Sequence, residues 1–347
     1  MSPEPYDIIL KTYSNGKSQK VITYVGEGEF MQKVRHVEYF ENGQMKKEIL
    51  YKEGLKHGES TTWYANGKVK FLKFYKNGLQ DSIALYLFQN GEKGSEEYYS
   101  NGKIEGESET WYKNGQEASL GKHKKGKYEG DFKKWYPNGQ IMEEGMFIDD
   151  KREGEWKTYS ASGIEESLGE YFEGEKEGFW TYWYESGQKR AEGHYKEGKK
   201  EGKWPFWYDD GRLIAESNFK EGIKDGLWVE WYESGQKGFE GTFKDGKESG
   251  KITKWYQSGQ VKWVREYKLG KPHGKSVTYY KNGKKSSQGN FVNGLEEGMF
   301  IAWFPNGYLE YEREFKLGKT HGRFTKWDKW GKKEWEDFYK EGKIIRK

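Results

Sequence analysis

The side chains in this chain that could do chemistry are six histidines, several neighbouring carboxylates and a dense set of glycines. His57, His273 and His321 share one recurring position, directly before a glycine, which Glu105, Glu129, Glu153, Glu177, Glu201, Asp225 and Glu297 fill elsewhere. A place that takes His, Glu or Asp alike reads as a polar turn position and not as a metal or proton-transfer centre. His36, His123 and His194 stand apart from that series. Glycine-rich loops can cradle phosphate, but there is no Gly-x-x-x-x-Gly-Lys-Ser/Thr phrase, and no helix is expected to follow any of these glycines. Glu-Ser-Gly-Gln, at 185–188 and 233–236, is a turn phrase. An esterase elbow would need Gly-x-Ser-x-Gly between strand and helix. Glu143-Glu144, Glu165-Glu166 and Asp209-Asp210 alternate faces on a strand, so the members of a pair cannot converge as acid and base. With no cysteine there is neither a thiolate nor a disulfide. The expectation is a protein without catalytic residues, cofactor or metal.

What remains is aromatic surface. Trp156, Trp180, Trp204 and Trp228 recur 24 residues apart. As a ladder along one sheet face, roughly 10 Å between rings, they could dock an extended peptide, a β-strand or a glycan. The competing and stronger reading lays each ring over the residue opposite, where it holds the sheet together. A second concentration of bulk, Trp327, Trp330 and Trp335 with Phe338, marks a candidate contact surface at the carboxyl-terminal edge.

The elements that position these rings are repeats. A glycine returns every 24 residues from Gly43 to Gly331, and a second runs at the same period through Gly58, Gly106, Gly130 and on to Gly322. Tyr or Phe stands three residues before the first glycine, usually Trp four before, and another ring eight after. Aromatic runs of about eight residues between Asn-Gly and Gly-Lys-x-x-Gly predict antiparallel strands joined by tight turns, two strands per unit. A two-residue turn at Asn-Gly sets the register, which places Phe132, Trp156, Trp180, Trp204 and Trp228 opposite Gly145, Gly169, Gly193, Ser217 and Gly241. The fold class expected is all-β, one elongated single-layer antiparallel meander, curved by strand twist. Residues 1–27 read as an amino-terminal capping hairpin around Tyr13-Ser14-Asn15-Gly16, 28–326 as the array, and 327–347 as a carboxyl-terminal repeat and cap. The unit around Leu85, Leu87 and Phe88 has Ser82 where the second glycine belongs, which suggests a bend or a boundary between sub-arrays.

Composition agrees with a thin sheet. Hydrophobic residues are 33% of 347, and 16 Trp, 27 Tyr and 19 Phe supply more than half of them. Such a chain cannot fill a thick aliphatic core. Charge is nearly balanced at 60 basic against 56 acidic, but unevenly placed. Residues 139–245 carry 15 basic and 25 acidic side chains, a net of −10, while 261–347 carry 20 and 11, a net of +9. The basic end is the one region suited to nucleic acid or a membrane surface, and the opposed charges also suit head-to-tail self-association. No apolar run approaches the roughly 20 residues of a spanning helix. The start, Met-Ser-Pro-Glu-Pro, lacks a signal segment, so a cytoplasmic place is expected, or export where a leader has been removed.

The phrases Trp183-Tyr184-Glu185-Ser186-Gly187-Gln188-Lys189 and Tyr195-Lys196-Glu197-Gly198-Lys199-Lys200-Glu201-Gly202-Lys203-Trp204 closely resemble bacterial MORN-repeat variants, and the resemblance spans about residues 28–347. It implies an elongated antiparallel β-ribbon that acts as a scaffold or protein-binding module. It also implies a role as antitoxin or immunity protein, the label bacterial variants often carry. The family offers no catalytic motif to place on these residues. The function expected is a non-catalytic protein-binding scaffold with a protein partner, a toxin in its specific form. The alternatives are a membrane-surface or polyanion binder working through the basic carboxyl-terminal region, and a self-assembling structural protein.

Overall fold

The computed structural model describes residues 4–345. Met1–Pro3 of the expected amino-terminal cap, with the start of the Met-Ser-Pro-Glu-Pro stretch, and Arg346 and Lys347 of the carboxyl-terminal cap lie outside these residues. Twenty-nine strands belong to one antiparallel sheet, and the only helical element among the described residues is a 3-10 turn at Gly28–Phe30. The chain divides into two compact units, up to Glu175 and from Lys176 onward. Within each unit every strand pairs with the strand next to it in sequence, as the antiparallel ladders of 127–135 with 141–148 and 199–207 with 213–220 illustrate. No second layer covers the strands of either unit, among the described residues.

Two different turns alternate. At the Asn/Ser-Gly corner the Tyr184 N–H donates to the Gln188 carbonyl (2.8 Å) and the Gly187 N–H to the Tyr184 carbonyl (2.9 Å). Gly187 alone takes a left-handed φ, 86°. The loop is therefore three residues long and not two, the common form in which a type I turn ends on a left-handed glycine. The expected register survives because the returning strand carries one extra residue. The ladder shifts between Tyr182 and Trp183, after which Tyr182 faces Ala191 and Trp180 faces Gly193. All five expected pairs are present, from Phe132 with Gly145 to Trp228 with Gly241.

The two-residue turn lies at the opposite edge. Glu197 and Gly198 have φ of 49° and 71° between the paired Lys196 and Lys199. Each repeat thus holds at least one non-glycine residue in the left-handed region, a place where Asn costs least. The second glycine of the unit is a bulge. Gly154 (φ 65°) and Glu155 are extra residues between the pairs Met146–Glu153 and Glu144–Lys157. Ser82 stands in for that glycine at φ 66°, and the strand Leu79–Leu87 still pairs on both sides. The strands of this irregular repeat stay paired, and the boundary between the two compact units falls elsewhere, at Glu175.

Side chains staple each unit to the next. The Tyr184 hydroxyl donates to the Trp207 carbonyl at 2.7 Å, Tyr232 to Trp255 at 2.8 Å and Tyr112 to Trp135 at 2.7 Å. Corner asparagines do the same, Asn114 Nδ2 to the Pro137 carbonyl at 2.8 Å and Asn282 to Pro305 at 3.0 Å. At the other edge the Glu201 carboxylate accepts the Glu221 N–H at 2.9 Å, and the Gly222 N–H reaches the Lys200 carbonyl. Hydrogen bonds of this kind contribute on the order of 0.5–1.5 kcal/mol each. Repeated along the array, they supplement a core too thin to hold the sheet by apolar burial alone.

The amino-terminal hairpin forms as expected, Tyr6–Thr12 with Ser18–Val25, Ile8 facing Ile22 and Ile9 facing Val21. Its outer strand is exposed along its whole length.

Candidate functional site

The Trp ladder is buried. Trp156, Trp180 and Trp204 are 1%, 2% and 0% exposed, and only Trp228 is half-buried. The bulge before each ring explains why. It brings Trp156 across from Gly145 on the preceding strand, and a Cβ placed on Gly145 would sit 2.3 Å from the indole. Trp204 lies on Gly193 in the same way, at 2.4 Å. The indole N–H groups confirm the direction, Trp156 Nε1 donating to the Met146 carbonyl and Trp204 Nε1 to the His194 carbonyl, both at 3.1 Å. Trp156 is thus paired with Gly169 but leans onto Gly145, and Trp204 is paired with Ser217 but leans onto Gly193.

Cations close the outer side. Arg152, Lys176 and Lys200 stand 4.0, 4.0 and 4.1 Å from the centroids of Trp156, Trp180 and Trp204, and Lys224 stands 3.1 Å from that of Trp228. Burial holds the Lys200 and Lys224 ammonium groups below their ordinary pKa. Of the two readings of this row, the projecting one does not fit Trp156, Trp180 and Trp204, which lie over the sheet as the stronger reading has it. Glycine leaves space beneath Trp156 and Trp204, and the cation four residues earlier covers each ring, so the ladder is a spine inside the sheet's own face.

A different Trp row keeps partial exposure. Trp111, Trp255 and Trp303, four residues before their corner glycines, are half-buried with Lys93, Lys237 and Lys285 at 5.3, 5.7 and 5.9 Å. Their period was visible in the sequence. Their exposure was not, because it depends on which face the bulges fold inward.

At the carboxyl-terminal edge Trp327 is half-buried, Trp335 packs edge-on against Phe324 (4.7 Å) and remains partly open, and Trp330 is 73% exposed on the last corner loop. The amino-terminal edge is apolar as well. Tyr6, Ile8, Ile9 and Leu10 are all exposed on the strand Tyr6–Thr12, whose outer backbone groups face no described strand.

The polar residues serve turns. Glu153, Glu177 and Glu201 each accept a backbone N–H from the left-handed residue 20 positions on. His273 takes the same part, its Nδ1 lying 3.3 Å from the Asn293 nitrogen. The equivalence of His and Glu read from the repeat is thus a matter of hydrogen-bond acceptance. Glu143 pairs with Arg152 at 2.6 Å, while its neighbour Glu144 meets Lys133 and the Tyr159 hydroxyl on the other face. Burial, then the contact with Glu144, pushes the Tyr159 phenol up to about 12. No three His, Asp or Glu side chains gather where they could hold a metal ion, among the described residues.

A family model described as MORN repeat variant matches residues 35–53, 56–77, 128–149, 176–197, 200–221, 224–245 and 272–293. No curated protein matches the chain. Among solved structures, similarity is found to a crystal structure of TcdB2-TccC3-Cdc42, at 9% identity over 97% of this chain and 23% of that one, with a TM-score of 0.17. A structure of the Photorhabdus luminescens Tc holotoxin pore matches at 11% identity over 94% of this chain and 22% of the other, with a TM-score of 0.18. The chain thus spans less than a quarter of the length of those solved chains.

Proposed function

The chain is a MORN-repeat protein, and we propose from that premise that it is a non-catalytic scaffold whose free edge strand, Tyr6–Thr12, takes up a strand of a protein partner. The observation that carries this reading is the exposure of that strand. Ile9 and Leu10 are both uncovered, beside backbone groups that no described strand satisfies. An incoming strand would gain main-chain hydrogen bonds, and pockets on alternate faces would select its side chains. Lys11 is the only cation on the strand and Asp7 its only anion, so charge does little to blunt the edge. In its specific form, which rests on the resemblance to bacterial MORN-repeat variants, the partner is a toxin and this chain its antitoxin.

The test is cross-linking and mass spectrometry from the native cell with the full chain and with Ile9→Lys/Leu10→Lys, exposed positions whose change leaves the hairpin folded. The reading expects one protein recovered with the native chain and lost with the variant, and, for the antitoxin form, growth rescue when the two are co-expressed. Equal recovery with both chains would remove the edge from the account. A second copy of the chain as the recovered partner would show as a dimer in light scattering and would replace the toxin reading by self-assembly.

A further inference from the structure

We propose that Lys200 is an acylation site, its side-chain amine accepting the acyl group of a thioester within a box made by Trp204, Phe206 and Phe219. The Lys200 Nζ lies 4.1, 4.9 and 5.3 Å from the centroids of these three rings. Lys200 is half-buried, so the amine is walled by the rings and not sealed.

The preceding repeat supplies the contrast. Lys176 stands 24 residues earlier in the same kind of box, at 4.0, 5.0 and 5.3 Å from Trp180, Tyr182 and Tyr195. Its ammonium donates to the Tyr182 hydroxyl at 2.8 Å, and that hydroxyl donates to the one on Tyr195 at 3.2 Å. Phe206 and Phe219 stand where those two tyrosines would recur, so both hydroxyls are gone. The other members of the series have carboxylates near them. Arg152 pairs with Glu143 at 2.6 Å, and Glu230 and Glu248 act on Lys224. The Lys200 ammonium has neither a hydrogen-bond acceptor nor a carboxylate partner among the described residues, and burial alone holds it below the ordinary lysine pKa.

The neutral amine is the nucleophilic form, and a lysine desolvated by apolar walls supplies more of it near neutral pH. The step is simple acyl transfer. The Nζ lone pair attacks the thioester carbonyl, an N–C bond forms as the C–S bond breaks, and the thiol leaves with the proton that the amine gives up. The product suits the box better than the reactant does. An amide has no charge to desolvate, and the methylene stem can stay on Trp204. At Lys176 the same change would cost the bond to Tyr182, so the chemistry singles out Lys200.

The experiment incubates the full chain with acetyl-coenzyme A and follows the acetylation of each lysine over time by peptide mass spectrometry. Lys200 is expected to react several-fold faster than Lys199, its exposed neighbour, and faster than Lys176. Phe206→Tyr/Phe219→Tyr rebuilds the hydroxyl pair that the array already accommodates around Lys176, and it is expected to slow Lys200 to the rate of Lys176. Phe206→Tyr alone is expected to act in the same direction. A native Lys200 that reacts no faster than Lys199 overturns the proposal, and that comparison needs no variant. So does fast acetylation that the tyrosine variants leave unchanged, because the missing hydroxyls would then not be its cause.

Discussion

The indole of Trp204 lies directly on Gly193, on the face where a Cβ at residue 193 would come within 2.4 Å of ring carbon Cε2. The neighbouring unit supplies the contrast. Ser217 stands where Gly193 would recur, and Trp228 is left half-buried, its Nε1 bonded to the Glu230 carboxylate at 2.9 Å and not to a backbone carbonyl. One hydroxymethyl group is enough to lift the ring.

Gly193→Ala should therefore destabilise the array by about 1–3 kcal/mol through overpacking. Urea unfolding followed by tryptophan fluorescence measures it. A midpoint equal to that of the native chain would mean that the ring has room to slide. Ser217→Ala should do the opposite, because the buried Ser217 hydroxyl finds no hydrogen-bond partner among the described residues. Removing it is expected to be neutral or stabilising by about 1 kcal/mol.

Glu201→Ala removes the acceptor for the Glu221 N–H and should cost about 1 kcal/mol, since it leaves a turn N–H without its partner. Glu201→His should recover most of that at neutral pH, as His273 fills the same part for Asn293. Hydrogen exchange at the Glu221 amide reads the effect locally. Protection unchanged in the alanine variant would show that the carboxylate does not hold this turn.

Two histidines make the amino-terminal unit sensitive to acid. Burial, then Lys33 and Lys20, holds His36 below the ordinary 6.5, and burial does the same for His123, against Tyr128 and beside the Ser108 hydroxyl. Above 6.5 both rings are neutral whether the chain is folded or not, and they place no slope on stability. As pH falls through 6.5 the unfolded chain takes up the protons first, so stability declines until the lowered folded-state pKa values are passed. The denaturation midpoint should fall between about pH 7 and pH 5, and His36→Gln/His123→Gln should flatten that fall. An identical slope in the double variant would assign the loss to other groups.

Leu317→Asn should raise stability by about 1 kcal/mol, because a left-handed residue with a branched apolar side chain is replaced by one that tolerates the conformation. Thermal unfolding is the measurement. An unchanged or lower melting temperature would mean that Leu317 earns its place by packing, and that its exposure misleads.

The antiparallel ladder, its two strands per unit and the pairing of Trp180 with Gly193 follow from the sequence alone. Glycine and aromatic residues at a fixed 24-residue period leave the backbone few alternatives, and alternation along a strand decides which side chains share a face. The sequence also placed His273 and Glu201 in one role, since the same turn needs the same acceptor in every unit. Only the tertiary structure decided which face of Trp204 is covered. The left-handed bulge at Gly202 brings the ring onto Gly193, and Lys200 closes over it. It also placed the two-residue turn at Glu197-Gly198 and not at Ser186-Gly187, and there the N–H of left-handed Glu197 is held by Glu177 of the previous repeat. That restraint reaches across 20 residues of chain, where local spacing carries no record of it. Exposure is settled in the same way, by the strands on either side. The row at Trp204 is therefore hidden, while the tips at Leu269 and Leu317 stand open.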